Sequence, residues 1–460
     1  MFGEPNKFAW QIAQKSNLRE GTDGVYKIIR ILYRYQQQKL TNKEFAKLVG
    51  IPVPVVSAVR GELMKAEFLK TKNLLSSTAI SWTEKEMGLR FEFSFFQEFS
   101  PSSPILSSEH LSFFNPIIKA LEDRPPPEYK YDQSRSTTET VLKRALIMAR
   151  NGDVEGKKIV LLGDDDGLTL ALAHLDCARE ILVIDIDSRI LKLINDFTER
   201  NNYSTLIRTQ LWDIRTAFPE EWLNYFDTFE MDPPYTVSGF KLFVNRALSL
   251  INPDSSSHGY ISFGNKSPFE KWECQEHLNT HGLVIEEFIP NFNKYIGATI
   301  LGSTSNLYTV SSIPQKVCRT ELTDQQQAIY TFDEDKVKDL PTVGYQIIGE
   351  FYGVSKEILT DGDHLKGIAL LGLEQSKLHT EEVFLKKYSP YGVSIIFILV
   401  ESHCHIHTWP EHNYLSLDLF VCEAKEKAET FFHYFLRRIN PVDYHKFQFY
   451  RGSPPISDEF

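Results

Sequence analysis

The chain has 460 residues, 42% of them hydrophobic and 13% aromatic, and a formal net charge of −11. That length suggests roughly two to four domains with room for a large core, and the acidic balance argues against general nucleic-acid binding while suiting a polycationic ligand. The longest apolar run, Val393 to Val400, has eight residues; it is far too short for a membrane helix, reads as a buried strand, and no membrane partner is expected.

The first residues, Met1-Phe2-Gly3-Glu4-Pro5-Asn6-Lys7, lack the basic start and apolar stretch of a signal peptide. Residues 1–90 read as a winged-helix domain: three helices, then two short strands. Val25, Ile28, Ile29, Leu32 and Tyr33 recur at helical spacing. Thr41 and Glu44 form a capping-box signature for a second helix that ends at Gly50. Pro54 sits near the start of a third, running to about Phe68. DNA binding is the obvious reading of such a domain. The third helix, however, offers only Arg60 and Lys65 beside Glu62 and Glu67, which favours a structural or dimerising role.

Residues 91–123 are aromatic-rich and irregular, with a Ser/Pro cluster at 100–108, and read as a linker with some packed helix. From 124 to 312 strand and helix patterns alternate, which predicts an α/β domain with a largely parallel sheet. Its strands include Lys157–Gly163, Ile181–Ile184 and Phe226–Met231, with a helix over Leu168–Leu175. A second linker, rich in Glu, Asp and Gln, spans 313–341, and a last domain covers 342–460. Five cysteines, at 177, 274, 318, 404 and 422, show neither CxxC pairing nor zinc spacing, so no metal is expected. The sparse, odd set fits a reducing cytoplasm.

Ligands of parallel sheets bind at the C-terminal ends of the strands. Carboxylates gather there: Asp164, Asp165 and Asp166 after the first strand, Asp185 and Asp187 after the second, then Asp213, and Asp232 opening Asp232-Pro233-Pro234-Tyr235. Each Asp alone reads as a helix cap or turn residue. Four successive clusters call for perturbed pKa values or a cationic ligand. With Arg124-Pro125-Pro126-Pro127, Tyr131-Asp132-Gln133 and Asn291-Phe292-Asn293-Lys294-Tyr295, the region from about 20 to 312 resembles the branched-chain polyamine synthases. These aminopropyltransferases have a Rossmann-like, methyltransferase-type sheet domain. Asp-Pro-Pro-Tyr is also similar to the motif of amino-directed methyltransferases. The resemblance implies that an amine attacks the methylene next to the sulfonium of decarboxylated S-adenosylmethionine, releasing methylthioadenosine. Asp166 and Asp232 are the candidates for amine positioning and proton removal. The resemblance assigns Asp185 to the donor ribose and Asp213 to the adenine side. Asp164, Asp165 and Asp187 join the substrate-binding set, Tyr235 would contact the amine, and Asp132 would contribute from the other wall or serve as a helix-start turn. Spermidine is a typical acceptor.

Near the C-terminus stands Glu401-Ser402-His403-Cys404-His405-Ile406-His407-Thr408-Trp409-Pro410-Glu411, with Cys422 beyond it. Histidines at 403, 405 and 407 point to one face of a strand, as a metal cluster or as surface histidines. With Tyr388-Ser389-Pro390-Tyr391-Gly392-Val393-Ser394 and Gly349-Glu350-Phe351-Tyr352-Gly353, residues 342–452 resemble the prokaryotic S-adenosylmethionine decarboxylases, an α+β sandwich. Amino-acid decarboxylation needs an electron sink. The resemblance implies a pyruvoyl group made when the Ser402 hydroxyl attacks the Glu401 carbonyl and the chain is cut between them. A weak hydroxyl nucleophile needs a base. By resemblance His407 is the processing histidine, Ser394 assists processing, Cys422 quenches the carbanion, Tyr388 stacks on the adenine and Glu411 holds the ribose. A homodimer or larger assembly is implied.

The fold class expected is therefore α/β multidomain, and the function a bifunctional enzyme of polyamine biosynthesis. One domain would decarboxylate S-adenosylmethionine and the other would spend the product. A second reading keeps the pyruvoyl chemistry with arginine or ornithine as substrate. A third is a polyamine-sensing winged-helix regulator.

Overall fold

A computed structural model describes residues 2–36, 38–96, 106–296, 303–314, 316–317, 329–330, 344–400, 402–422 and 425–451. Glu401, Cys318, residues 100–105 of the Ser/Pro cluster and most of 313–341 lie outside the described residues. The chain divides into two compact units, Met1–Phe332 and Asp333–Phe460. No helix among the described residues is long and apolar enough to cross a membrane.

The first unit begins with α1 (Pro5–Ser16), α2 (Gly21–Arg34), α3 (Asn42–Val49) and α4 (Val53–Lys65). The antiparallel pair β1 (Leu69–Thr71) and β2 (Leu74–Leu75) follows, then α5 (Ser77–Met87). The apolar stripe of α2 is buried at Val25, Ile28, Ile29, Leu32 and Tyr33. Both bonds of the Thr41–Glu44 capping box are present, and Gly50 ends α3 at φ 71°. The fourth helix stops at Lys65 rather than Phe68, because Glu67 takes φ 55° and the Phe68 N–H turns back to the Leu63 carbonyl.

After α6 (Ser108–Glu122) come α7 (Thr138–Asn151), β3 (Lys158–Leu162), α8 (Leu168–Leu175), β4 (Glu180–Asp185), α9 (Ser188–Arg200) and β5 (Leu206–Leu211). They are followed by β6 (Thr228–Met231), α10 (Val237–Leu250), β7 (His258–Phe263), α11 (Pro268–Thr280), β8 (Leu283–Lys294) and β9 (Thr304–Ser312). The strands form one sheet in the order β5-β4-β3-β6-β7-β9-β8; the first five run parallel, and β9 lies antiparallel to both β7 and β8. Helices on both faces bury the central strands β3, β4 and β6 almost completely. Ile159 and Leu161 enter one core cluster, Val160 and Leu162 the other. Phe114, Ile117 and Leu121 of α6 belong to the first cluster, so the packed helix within 91–123 is part of this core. Strand order reverses direction between β3 and β6, and ligands of such sheets bind at that point, outside the carboxyl ends of the strands.

The second unit comprises β10 (Gly344–Tyr352), α12 (Lys356–Thr360), α13 (Gly362–Gln375), β11 (Thr380–Lys387), β12 (Val393–Leu399), β13 (Ser402–Trp409), β14 (Tyr414–Val421), α14 (Lys425–Ile439) and β15 (Asp443–Arg451). Its antiparallel sheet has the order β11-β12-β13-β14-β10-β15. Ile395, Phe397, Cys404, Ile406, Leu417 and Leu419 face α13 and α14 and form the core. The alternate residues, among them Ser394, Ile396, Ile398, His403, His405 and His407, lie on the opposite, open face. The register sets Ser394 opposite His407, His405 opposite Asp418 and His403 opposite Phe420.

Candidate active sites

The carboxylates picked out by the sequence meet at the mouth of the parallel sheet, with unequal surroundings. Asp164 caps α8: its oxygens accept the N–H groups of Leu168 at 2.6 Å and Thr169 at 3.0 Å, and burial still pushes it up to about 7. Asp185 accepts the N–H groups of Asp164 at 2.8 Å and Asp187 at 2.7 Å, and burial raises it to about 6. Asp187 caps α9. Burial works to raise it, but hydrogen bonds from Arg189 at 2.6 Å and Gln133 at 3.2 Å hold it below the ordinary value. Asp213 is held low in the same way, by Arg215 at 2.7 Å.

The centre of the site is a residue the sequence reading passed over. The Arg144 guanidinium, 2% exposed, lies 2.8 Å from Asp166 Oδ2, 3.4 Å from Glu230 Oε1 and 3.1 Å from Asp232 Oδ2. Its Nε donates to Asn293 Oδ1 at 2.8 Å. Asp166 also accepts the Ser136 N–H at 2.9 Å and sits 3.9 Å from Arg124. Asp166 is thus held by an ion pair with Arg144 and a backbone N–H. Asp165 is partly exposed. Burial first, then the charges of Asp166 and Asp232, push it well above the ordinary carboxylate range.

Asp232 is raised to about 6, chiefly by burial. Tyr295 donates to its Oδ2 at 2.7 Å, and the Tyr235 hydroxyl donates to Tyr295 at 2.8 Å. Tyr235 therefore reaches Asp232 through Tyr295. Asp132 stands in a left-handed conformation, φ 55°, after a short turn at Tyr129–Tyr131. From the stretch expected as a linker, Ile329 is buried and its carbonyl accepts from Thr236 at 2.6 Å. Tyr330 lies under the Arg215 guanidinium at 5.8 Å and 6.2 Å from the Tyr131 ring.

In the second unit the predicted residues form two groups at opposite ends of β13. At one end the Cys422 N–H lies 3.4 Å from Ser402 Oγ. At the other, Ser394 Oγ and His405 Nε2 are 2.7 Å apart, and the His407 ring lies 4.1 Å from Trp409 and 5.6 Å from Tyr388. Burial and His405 lower the His407 pKa against the pull of Glu411, which stands in the turn Pro410–His412. Five residues of extended strand separate Ser402 from His407 by roughly 16 Å. The three histidines do not converge: His403 lies against Phe420, His405 on Ser394 and His407 on Trp409.

One unit with a parallel sheet and carboxylates at its strand ends, and another with an antiparallel sheet carrying a serine–cysteine pair, define a chain with two catalytic domains. Residues 112–346 match the branched-chain polyamine synthase A C-terminal domain, and residues 345–452 match the S-adenosylmethionine decarboxylase family. The chain belongs to the branched-chain polyamine synthase family and carries a decarboxylase domain of the second, so it joins an aminopropyltransferase to a lyase and is a bifunctional enzyme of polyamine biosynthesis. An N(4)-bis(aminopropyl)spermidine synthase of Methanocaldococcus jannaschii is 30% identical over 269 residues, 56% of this chain and 75% of that protein. An S-adenosylmethionine decarboxylase proenzyme of Archaeoglobus fulgidus is 34% identical over 110 residues, 24% of this chain and 98% of that protein. An arginine decarboxylase proenzyme of Caldivirga maquilingensis is 31% identical over 107 residues, 23% of this chain and 80% of that protein.

Proposed function

We propose that the second unit cuts itself between Glu401 and Ser402, decarboxylates S-adenosylmethionine, and supplies decarboxylated S-adenosylmethionine for aminopropyl transfer by the first unit to an amine such as spermidine. The observation that carries the transfer reading is the surplus of carboxylates around one guanidinium. Arg144 meets Asp166, Glu230 and Asp232, and Asp165 stands beside them, so a polycationic amine and a sulfonium would complete the charge. In the step itself the new C–N bond forms as the C–S bond breaks and methylthioadenosine leaves. The amine proton passes to Asp165 or Asp232; Asp232, raised to about 6 chiefly by burial, suits a base near neutral pH. Asp185 and Asp213 border the donor side, and Asp164 and Asp187 hold the helices that frame it.

In the processing reaction the Ser402 oxygen attacks the Glu401 carbonyl carbon and the peptide nitrogen leaves it, giving an ester. Elimination frees the Glu401 carboxylate, and water then replaces nitrogen, lost as ammonia, to leave the pyruvoyl carbonyl. That group supplies the electron sink. The Ser402 hydroxyl at the strand start with the Cys422 backbone beside it fits such a group, and the Cys422 thiol is the proton donor assigned to the decarboxylated carbon.

One copy leaves Ser402 roughly 16 Å from His407, too far for proton transfer. Two copies packed open face to open face about a two-fold axis would bring the Ser402 end of one sheet to the His407 end of the other, so the reading includes a homodimer. We further assign residues 1–90 to a structural winged helix, 91–123 to a connecting segment, 124–312 to the transferase, 313–341 to a second connection and 342–460 to the decarboxylase. Arg60 supports the structural role: it is buried and donates to the carbonyl of Lys72 and the side chains of Asn42 and Asn73, while Lys65 pairs with Glu62 at 2.7 Å. The free cysteines among the described residues, Cys177, Cys274, Cys404 and Cys422, support a cytoplasmic setting.

Denaturing intact mass before and after borohydride tests the processing, and carbon dioxide release from labelled S-adenosylmethionine, arginine and ornithine tests the substrate. Cleavage before Ser402 with a reducible carbonyl, and release from S-adenosylmethionine, is the expected result. Release from arginine alone, as the name of the Caldivirga relative would suggest, would move the decarboxylase to the second reading. Transfer is tested separately in S402A, which should remain uncleaved yet consume supplied decarboxylated S-adenosylmethionine.

A further inference from the structure

We propose that His405 is a positioning residue for Ser394 in chain cleavage, an inference that rests on the pyruvoyl reading above. Ser394 and His405 stand on adjacent antiparallel strands and share the open face. The register pairs Ser394 with His407, so a direct cross-strand bond would go there. The hydroxyl instead meets His405 on the diagonal, with Oγ and Nε2 2.7 Å apart. Diagonal neighbours on one face are within reach of a long side chain. His407 is turned to other partners, with its ring 4.1 Å from Trp409 and 5.6 Å from Tyr388.

The bond selects one Ser394 rotamer out of three staggered wells. With His405 Nε2 unprotonated, the Ser394 O–H donates to it, and the Oγ lone pairs stay available to accept a bond from the segment being cut. His405 thus acts through Ser394, and the segment that Ser394 meets is the one the two-copy arrangement above brings to its end of the sheet, because Ser402 of the same chain lies at the other end, paired with Leu399. His407 is left for proton transfer, and His405 keeps the assisting serine aimed.

A double-mutant cycle on cleavage tests this, with the first-order rate of Glu401–Ser402 cleavage followed by denaturing intact mass for wild type, S394A, H405A, S394A/H405A and H405Q. Expected is a loss of about tenfold or more in H405A, a similar loss in S394A, and a double variant no slower than S394A, because both changes remove one interaction. H405Q, which keeps a hydrogen-bonding group of similar reach, should recover to within about threefold of wild type. Cleavage of H405A at the wild-type rate would overturn the proposal. So would losses that multiply in the double variant, or H405Q as slow as H405A. An uncleaved wild type would overturn the pyruvoyl reading and this inference with it, whereas a cleaved wild type with an indifferent H405A overturns this inference alone.

Discussion

Replacing Arg144 by Met leaves Asp166, Glu230 and Asp232 without the guanidinium they meet at 2.8, 3.4 and 3.1 Å. Breaking a buried ion pair from one side costs roughly 3–5 kcal/mol, and urea unfolding of R144M should lose about that much at pH 8. Burial already raises Glu230 and Asp232, and losing the cation raises them further. A carboxyl raised in the folded state binds more protons folded than unfolded, so its contribution falls as pH rises through the folded value. The R144M deficit should therefore shrink towards pH 5.5; a deficit that does not change with pH would contradict the charge reading. Tyr295 makes the opposite contribution, since its hydrogen bond lowers Asp232. Y295F should move the acidic limb of the transfer pH–rate profile upward by about one pH unit, and an unmoved limb would remove Asp232 from the base role. Tyr295 stood in the sequence only as the end of the Asn291–Tyr295 motif, without a role, and Arg144 was not legible beforehand. Arg144 reads as an ordinary helix cation, and its partners Glu230 and Asp232 are 86 and 88 positions along the chain.

At the scale of elements, the end of α7 is held by α2. Arg30 donates to the carbonyls of Asn151 at 3.1 Å and Gly152 at 2.8 Å, and Arg34 donates to Ala149 O and Glu155 Oε2, each at 2.7 Å. These bonds satisfy carbonyls that every helix leaves open at its C-terminus. Gly152 permits the close approach: it has φ 84°, and a Cβ there would lie 1.8 Å from the Arg30 guanidinium carbon. G152A combines backbone strain with a displaced Arg30, and thermal or urea unfolding should show a loss of about 1–3 kcal/mol. A neutral G152A would mean that Arg30 moves without cost. The helices themselves were legible where the signal is local, as in the Thr41–Glu44 box and the apolar stripe of α2. The caps made by Asp164 and Asp187 were legible only as one reading of any lone Asp. A cap and a ligand-binding carboxylate have the same sequence, and only the neighbouring N–H groups tell them apart.

For the whole molecule, the open face of the second sheet carries Ser394, His405 and His407 together with the exposed side chains Ile396 and Ile398. Burying a charged ammonium in a pairing face is costly. I398K should weaken self-association, as read by light scattering, and should slow cleavage before Ser402, while transfer from supplied decarboxylated S-adenosylmethionine continues. A monomeric I398K that still cleaves at the wild-type rate would show that one copy suffices. The alternation of the last domain and the strand–helix rhythm of the middle one could be read directly, because side-chain periodicity is a local consequence of backbone geometry. The packing of α6 into the sheet core could not, since its apolar spacing does not name the surface it covers.

The sequence by itself determined the things that neighbours along the chain decide: element types, the segment proposed for cleavage with its serine and cysteine, and the crowding of carboxylates at strand ends. Tertiary structure alone decided how those carboxylates divide. Asp164 and Asp187 cap helices, Asp166 and Asp232 share the Arg144 guanidinium, and burial raises Asp164, Asp165, Asp185 and Asp232 while Arg189 holds Asp187 low. It also decided that Ser394 meets His405 rather than its registered partner His407. The physical reason is the same in each case. A group's protonation and direction depend on burial and on partners that strand pairing brings from far along the chain, and no spacing within one segment records them.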